Sequence, residues 1–149
     1  MSVNPELVER VFPPTPPYLV GREKVREFAR AVHATDPQHT DVAAARELGY
    51  PDVVAPPTFA MVVQDLTLQQ LLAEPDSGIA LERTIHAEQR FRYSRPIVAG
   101  DEITATLSIT GVRPFGKGAM VTSEAEMTDA AGDHVVTAVS VLLIGGEDE

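Results

Sequence analysis

The chain has 149 residues and a formal net charge of −10, with 44% hydrophobic and 23% charged residues. This length suits one domain with its own core and is short for two. The acidic balance disfavours nucleic acid and anionic membrane surfaces as partners. Cysteine is absent, which excludes disulfides and thiolate metal sites, and no apolar run or leader indicates membrane insertion or export. We therefore expect a single cytoplasmic domain over residues 1–149.

The N-terminal part of the chain predicts an extended segment followed by a helix. Residues 1–17 are rich in proline, and the four prolines between Val11 and Val20 forbid a helix there. We expect this stretch to be extended and to lie against a sheet rather than within it. From Gly21 to about His33 apolar residues recur at helical spacing, with charged residues on the other face. This pattern predicts an amphipathic helix.

Two further helices are predicted before the sheet. The loop over residues 34–40 ends at Asp41, a residue type that caps helices, and a short Ala-rich helix should run from there to about Leu48. Pro57 or Thr58 begins the next helix. Because its apolar residues cover more than one stripe, we expect a core helix buried on several sides. These residues are Phe59, Val62, Val63, Leu66, Leu68, Leu71 and Leu72.

Four strand-like runs complete the chain, separated by turns that contain Gly and Asp. They cover about Leu81 to Tyr93, Asp101 to Val112, Lys117 to Thr128 and His134 to Ile144. No helical pattern separates the last three, which predicts an antiparallel meander. Helices followed by such a sheet indicate the α+β class, and the sheet should curl around the apolar helix to keep it from water. Residues 145–149 indicate a loose tail.

Three segments, in this order, carry a family resemblance. They are ATDPQHTD at 34–41, DVVAPPTFAMVV at 52–63 and FRYSRPIVAGDEITATLSI at 91–109. Together they resemble the MaoC-like (R)-specific hydratase/dehydratase family, and are most similar to its actinobacterial N-terminal-type domains and (3R)-hydroxyacyl-ACP dehydratase subunits. The resemblance implies a hot-dog fold, a homodimer or a heterodimer with a related hot-dog subunit, and acyl-CoA or acyl-ACP as the ligand.

The first segment is similar to the family's catalytic motif, D-x-N-P-x-H-x-D, whose Asp and His transfer protons in relatives. At these two positions this sequence has Ala34 and His39, and Asp36 replaces the Asn. Elimination of water from a 3-hydroxyacyl thioester needs an acid, a base and donors to the thioester oxygen. The resemblance also places Pro57, which has no N–H, at the family's oxyanion donor. The N–H of Thr58, at a helix start, is the candidate replacement.

The resemblance makes His39 the candidate catalytic residue, with Asp36 as a secondary one. The alternatives are a structural loop histidine and a turn carboxylate. Arg90, Arg92 and Arg95 are candidate contacts for the phosphate end of a thioester or for an acidic carrier protein. The alternative for these arginines is a solvated strand face.

Three functions stay open at this point. The leading hypothesis is a dehydratase subunit that binds an acyl thioester, with Phe59 and its helix lining the acyl tunnel as in the family, and that needs a partner for full catalysis. The second is an autonomous enoyl-thioester hydratase that uses His39. The third is an acyl-binding or structural protein without turnover. No metal site and no cofactor is predicted, since the chain has neither a metal-binding histidine pair nor a nucleotide-binding motif.

Overall fold

Three α-helices precede most of the sheet in the computed structural model, which describes residues 2–146. The helices are α1 (Arg22–Ala31), α2 (Val42–Glu47) and α3 (Ala60–Ala73). The strands are β1 (Tyr18–Leu19), β2 (Thr84–Tyr93), β3 (Glu102–Phe115), β4 (Gly118–Thr128) and β5 (His134–Ile144). Each predicted helix and strand is present, with its ends shifted by a few residues.

The strands form one antiparallel sheet in the order β1, β3, β4, β5, β2. Strands β3, β4 and β5 are the predicted meander, and β2 returns to pair with β5, with Tyr93 opposite Val136. Bulges in β2, between His86 and Glu88, and in β3 add twist that helps the sheet to curl. The other edge of β2 has no partner strand among residues 2–146.

Helix α3 packs against the inner face of the curled sheet, as predicted. Burial on several sides was expected, but the helix is buried mainly along one side, where Ala60, Val63 and Leu71 lie in the core. The difference arises because its other apolar side chains are only partly covered. Two polar residues, Gln64 and Thr67, are buried on the same side. The apolar pattern did not predict them.

The N-terminal segment differs from the prediction in two respects. Tyr18 and Leu19 pair with β3, opposite Ile103 and Glu102, so this part lies within the sheet and not merely against it. Residues Pro5–Glu9 form a 3-10 turn, capped by a side chain acceptor on the preceding residue, where an extended chain was expected. Both corrections have the same cause, because proline excludes an α-helix but permits edge strands and the first turn of a 3-10 helix.

The loose tail predicted for 145–149 lies mostly outside the described residues. Within them, the N–H of Gly145 donates to the carbonyl oxygen of Arg83 at 2.8 Å. Among residues 2–146 no helix combines the length and hydropathy that crossing a bilayer requires.

Candidate active site

His39 lies on a short turn that the local sequence holds in place. Pro37 starts a 3-10 turn that ends at His39, whose N–H donates to the carbonyl of Asp36 at 3.1 Å. Asp41 then caps α2, accepting the N–H of Ala43 at 2.9 Å, as the sequence predicts. The turn and the cap fix the backbone on both sides of the histidine.

The His39 ring is buried, with only 9% of the residue exposed. Its Nδ1 lies 2.6 Å from the carbonyl oxygen of Val54. Because a carbonyl only accepts hydrogen bonds, Nδ1 carries the proton and Nε2 of the neutral ring has a free lone pair. Nε2 contacts no hydrogen-bonding group among residues 2–146. The imidazole is therefore oriented and its second nitrogen is available to a ligand.

His39 lines an open pocket of about 530 Å³. The walls come from the motif loop, the residues before α3, and the segment after β2. The lining residues are Asp36, Gln38, His39, Val54, Ala55, Pro57, Tyr93, Ser94, Arg95 and Pro96. The structure thus brings together three of the predicted site residues, His39, Asp36 and Arg95. Ala34, at the family's Asp position, is not part of this wall.

Asp36 is exposed, and its side chain is not hydrogen bonded to His39. The Val54 carbonyl already occupies Nδ1, which is the nitrogen that a carboxylate would hold to orient a catalytic histidine. Asp36 can therefore reach a ligand in the pocket, but it does not orient the imidazole in this arrangement.

The residues before α3 form a 3-10 turn, Pro57–Phe59. The hydroxyl of Tyr93 donates to the carbonyl oxygen of Pro57 and so ties the end of β2 to this turn. Burial raises the pKa of Tyr93 to about 12, which keeps the hydroxyl a donor. Thr58 is exposed, and its N–H donates to no acceptor among residues 2–146. Thr58 does not line the His39 pocket, so its role as an oxyanion donor stays a prediction.

Arg95 is held by carboxylates on two sides. Its guanidinium donates to Asp101 at 2.8 and 3.1 Å and to Asp129 at 3.2 Å. Asp101 also accepts the N–H of Val98. The N–H of Asp133 and the Arg95 guanidinium lower the pKa of Asp129. Arg95 thus connects the turn after β2 to the turn between β4 and β5, while a face of its side chain still lines the pocket.

The other three predicted binding residues lie outside the pocket wall. Arg90 and Arg92 are exposed on β2, where they face Glu88 at 3.0 Å and Glu124 at 3.6 Å. Phe59 is fully buried and packs edge-on against a neighbouring ring of α1, with 5.3 Å between ring centres. A fully buried side chain offers no surface to a ligand here. Its role as an acyl-tunnel residue stays a prediction.

Two features of the site were not predicted from the sequence. Tyr93 anchors Pro57, and Ser94 contacts His134, with 2.5 Å between Oγ and Nδ1. Nε2 of His134 in turn lies 2.7 Å from the hydroxyl of Thr137. The alternation of β2 placed Tyr93 on the face opposite the arginines, but no local pattern signals its partner. No group of three or more possible metal ligands occurs among residues 2–146.

A curled antiparallel sheet around one helix, with a histidine pocket beside the helix start, defines a hot-dog domain of the dehydratase type. The chain belongs to the FAS1-like dehydratase domain family, which it matches over residues 8–138. It is 62% identical over 148 residues to a UPF0336 protein of Clavibacter michiganensis, covering 99% of both chains.

Two solved structures share the fold and more than a quarter of the sequence. One is a chain of the HadBC (3R)-hydroxyacyl-ACP dehydratase complex of Mycobacterium tuberculosis, with a TM-score of 0.77, 31% identity, and coverage of 89% of this chain and 92% of that one. The other is a MaoC-like dehydratase with a TM-score of 0.83 and 36% identity, covering 95% of this chain and 44% of that longer one. These matches confirm the predicted family and the hot-dog fold.

Proposed function

We propose that the chain is a subunit of a (3R)-hydroxyacyl-thioester dehydratase or enoyl-thioester hydratase that binds acyl-CoA or acyl-ACP and needs a partner subunit for full catalysis. The observation that carries this proposal is the hydrogen bonding of the His39 imidazole. Its Nδ1 is fixed by Val54, and within residues 2–146 its Nε2 has no hydrogen-bond partner and no carboxylate is paired with the ring. Ala34 stands where relatives have the second proton-transfer group.

The chemistry of the reaction explains why one histidine is not enough. Elimination of water breaks the C2–H bond and the C3–O bond. One positioned group removes the proton from C2, and another delivers a proton to the leaving hydroxyl. His39 can serve as one of them. Thr58 N–H offers one donor to the thioester oxygen, where the Pro57 nitrogen offers none. The pocket therefore supports thioester binding better than complete turnover.

An unpaired sheet edge supports assembly with another subunit. In the part of the chain that the structure describes, strand β2 pairs with β5 on one side only, and Ile85 on this strand is 66% exposed. Leu81, just before the strand, is 61% exposed. A long edge strand with exposed apolar residues favours pairing with a second sheet. The HadBC relative is itself described as a complex. We propose β2 as the edge at which a related hot-dog subunit, or a second copy, joins.

A second candidate is an autonomous hydratase in which Asp36 assists His39. The observation in its favour is that both residues line the same pocket. In this alternative Asp36 acts on the ligand directly, because the orienting position on the imidazole is already occupied by Val54.

Carrier protein and CoA remain alternatives as the thioester carrier. Arg90 and Arg92 are exposed cations on the free edge strand, and each faces a glutamate that reduces its field. We propose them as weak carrier contacts only. A molecule of net charge −10 needs such local cations to approach an acidic carrier protein.

The test is reconstitution with a hot-dog subunit from the same organism that carries the intact D-x-N-P-x-H motif. Crotonyl-CoA hydration should be at background for this chain alone and should appear when the two subunits are mixed. Changing the partner's motif histidine to alanine should lower turnover of the pair by about 100-fold or more, the usual effect of removing a positioned acid or base. His39→Ala should lower it by roughly tenfold or less.

The matched control addresses assembly. Ile85→Lys places a charge on the free edge of β2 and should weaken association of the pair in sedimentation, while Phe115→Lys, on the far end of β3, should not. If the intact-motif subunit neither binds this chain nor restores activity, the partner-dependent proposal is wrong.

A further inference from the structure

Two arginines on one face of α1 hold the two chain segments that meet at His39. Arg22 and Arg26 are four residues apart, which places them about one helical turn apart on the same side of the helix. One segment is the turn that ends at His39, and the other is the stretch over residues 52–55, which supplies Val54. The proposed function gives neither arginine a role.

Arg26 holds the first segment. Its Nε donates to the carbonyl oxygen of Thr40, the residue that follows His39, at 2.8 Å. A terminal nitrogen of the same guanidinium donates to the carboxylate of Glu23, which lies one turn earlier on α1. The guanidinium is therefore held from its own helix while it binds the loop. Arg26 thus ties the backbone just after His39 to α1.

Arg22 holds the second segment. Its Nε and Nη2 donate to the two carboxylate oxygens of Asp52 at 3.0 and 2.6 Å. Such a bidentate pair fixes the direction of the carboxylate as well as its distance. Asp52 also accepts the N–H of Val53 at 2.8 Å. The hydrogen bond from Arg22 lowers the pKa of Asp52, so the carboxylate is ionised at neutral pH. Arg22 thus ties the backbone just before Val54 to α1.

The two segments meet in two hydrogen bonds. The N–H of Val54 donates to the carbonyl oxygen of Gln38 at 2.9 Å, and the carbonyl oxygen of Val54 lies 2.6 Å from Nδ1 of His39. Because both bonds span the segments, a shift of either segment changes both. A neutral imidazole whose Nδ1 has no fixed acceptor can carry its proton on either nitrogen. The tautomer of His39 therefore depends on the relative position of two segments that α1 holds.

We propose that Arg22 and Arg26, together the arginine clamp, are positioning residues that keep His39 in the Nδ1–H tautomer, with the lone pair of Nε2 available to a thioester. The inference rests on the proposed function for the identity of the ligand. The clamp acts through the backbone on either side of the contact between His39 and Val54, and a displacement of well under 1 Å is enough to weaken a positioned group. The tautomer can be measured without any ligand.

The first experiment is 15N NMR of the histidine side chains in the full chain at about pH 8, above the ordinary pKa of histidine. His39→Asn identifies the signals of His39 among the four histidines. The unmodified protein should show the Nδ1–H form of His39, and the double variant Arg22→Gln with Arg26→Gln should show a mixture of both tautomers. Arg30→Gln, at an exposed arginine in the last turn of α1, is the matched control and should leave the Nδ1–H form unchanged.

A double variant that keeps the Nδ1–H form alone would overturn the inference. If the double variant does not fold, Arg26→Gln by itself is measured under the same criterion.

The second experiment is calorimetric titration with crotonyl-CoA. The double variant should bind about tenfold more weakly than the unmodified protein, a loss similar to that of His39→Asn. When the two clamp substitutions are added to His39→Asn, the further loss should stay below about threefold, because the clamp acts through the imidazole. A further loss of about tenfold would mean that the arginines support the pocket independently of His39, and would overturn the inference.

The two experiments separate the inference from the proposed function. If the double variant shows mixed tautomers while the unmodified chain binds no crotonyl-CoA, the positioning role is supported and the proposed function alone fails.

Discussion

His39 and Arg95 line the same pocket, yet the structure uses them differently. His39 keeps one nitrogen free, because a backbone carbonyl holds only Nδ1. Arg95 directs its terminal nitrogens to Asp101, Asp129 and the carbonyl of Pro96. Two residues of the family-like segments therefore differ in their hydrogen bonding: the imidazole of His39 has one nitrogen without a partner among residues 2–146, whereas the guanidinium of Arg95 connects two turns. A charged side chain in a pocket indicates a binding role only when its donors are not already used.

The largest expected effect is on stability, from Arg95→Gln. The substitution leaves the partly buried Asp101 and Asp129 without their cation, and we expect a loss of about 2 kcal/mol in the free energy of unfolding, limited by the solvent that reaches the side chain. Urea unfolding measures it. Thioester affinity should change less than threefold, roughly within the range of neutral substitutions; a large loss of affinity with unchanged stability would reverse the roles assigned to Arg95 and His39.

The ion pair between Arg95 and Asp129 also predicts a pH dependence of the stability. The pKa of Asp129 is lowered in the folded protein by the Asp133 N–H and by Arg95. A lowered pKa stabilises the fold above the carboxyl's unfolded pKa, near 3.9, and this contribution disappears as the pH falls through the folded pKa. The stability difference between the unmodified protein and Arg95→Gln should thus be constant from about pH 7 to pH 5 and shrink below about pH 4. A difference that grows in acid would contradict the assignment.

The next effect concerns His39→Asn. An asparagine can keep a donor near the Nδ1 position for the Val54 carbonyl while removing Nε2. We expect stability to change by about 0.5 kcal/mol or less and thioester affinity to fall by roughly tenfold, the value of one lost hydrogen bond. Calorimetric titration beside thermal unfolding separates the two. Unchanged affinity would show that Nε2 does not contact the ligand.

The smallest effect is expected from Tyr93→Phe, which removes the hydroxyl that holds the Pro57 carbonyl. The loss in unfolding free energy should be about 1 kcal/mol at neutral pH. Because burial raises the pKa of Tyr93 to about 12, the unmodified protein should lose stability as the pH rises above about 10, where an unfolded tyrosine ionises. The phenylalanine variant has no such ionisation, so the unfolding free energies of the two proteins should converge as the pH rises above about 10.

Local chemistry explains which parts of the structure could be predicted. The Asp41 cap, the three helices and the meander follow from residue types within a few positions of each other. The pairing of Tyr18 and Leu19 with β3 could not be predicted in this way, because the partner residues are distant in the chain and proline-rich segments have no strand pattern. The family motif made His39 a candidate, and this residue lines the pocket, but the motif did not predict the Val54 carbonyl that fixes its tautomer.

Long-range polar contacts are the other part that the sequence does not reveal. The partners of Arg95 lie on two separate turns, so the position of Arg95 just after a strand could not show that it is already paired. Gln64 and Thr67 lie on a helix whose apolar pattern predicts only core. The folded structure shows that they line a small cavity between α3 and the sheet, together with Ser123 and Ser140, which are distant in the chain.

The central claim is that this chain binds the thioester but holds only part of the proton-transfer machinery. It is tested most directly by crotonyl-CoA hydration with the purified chain alone, in its unmodified form and as His39→Ala. We predict the same background rate for both, while the unmodified chain still binds the thioester. Clear hydration by the chain alone that His39→Ala abolishes would contradict the claim and establish the autonomous enzyme.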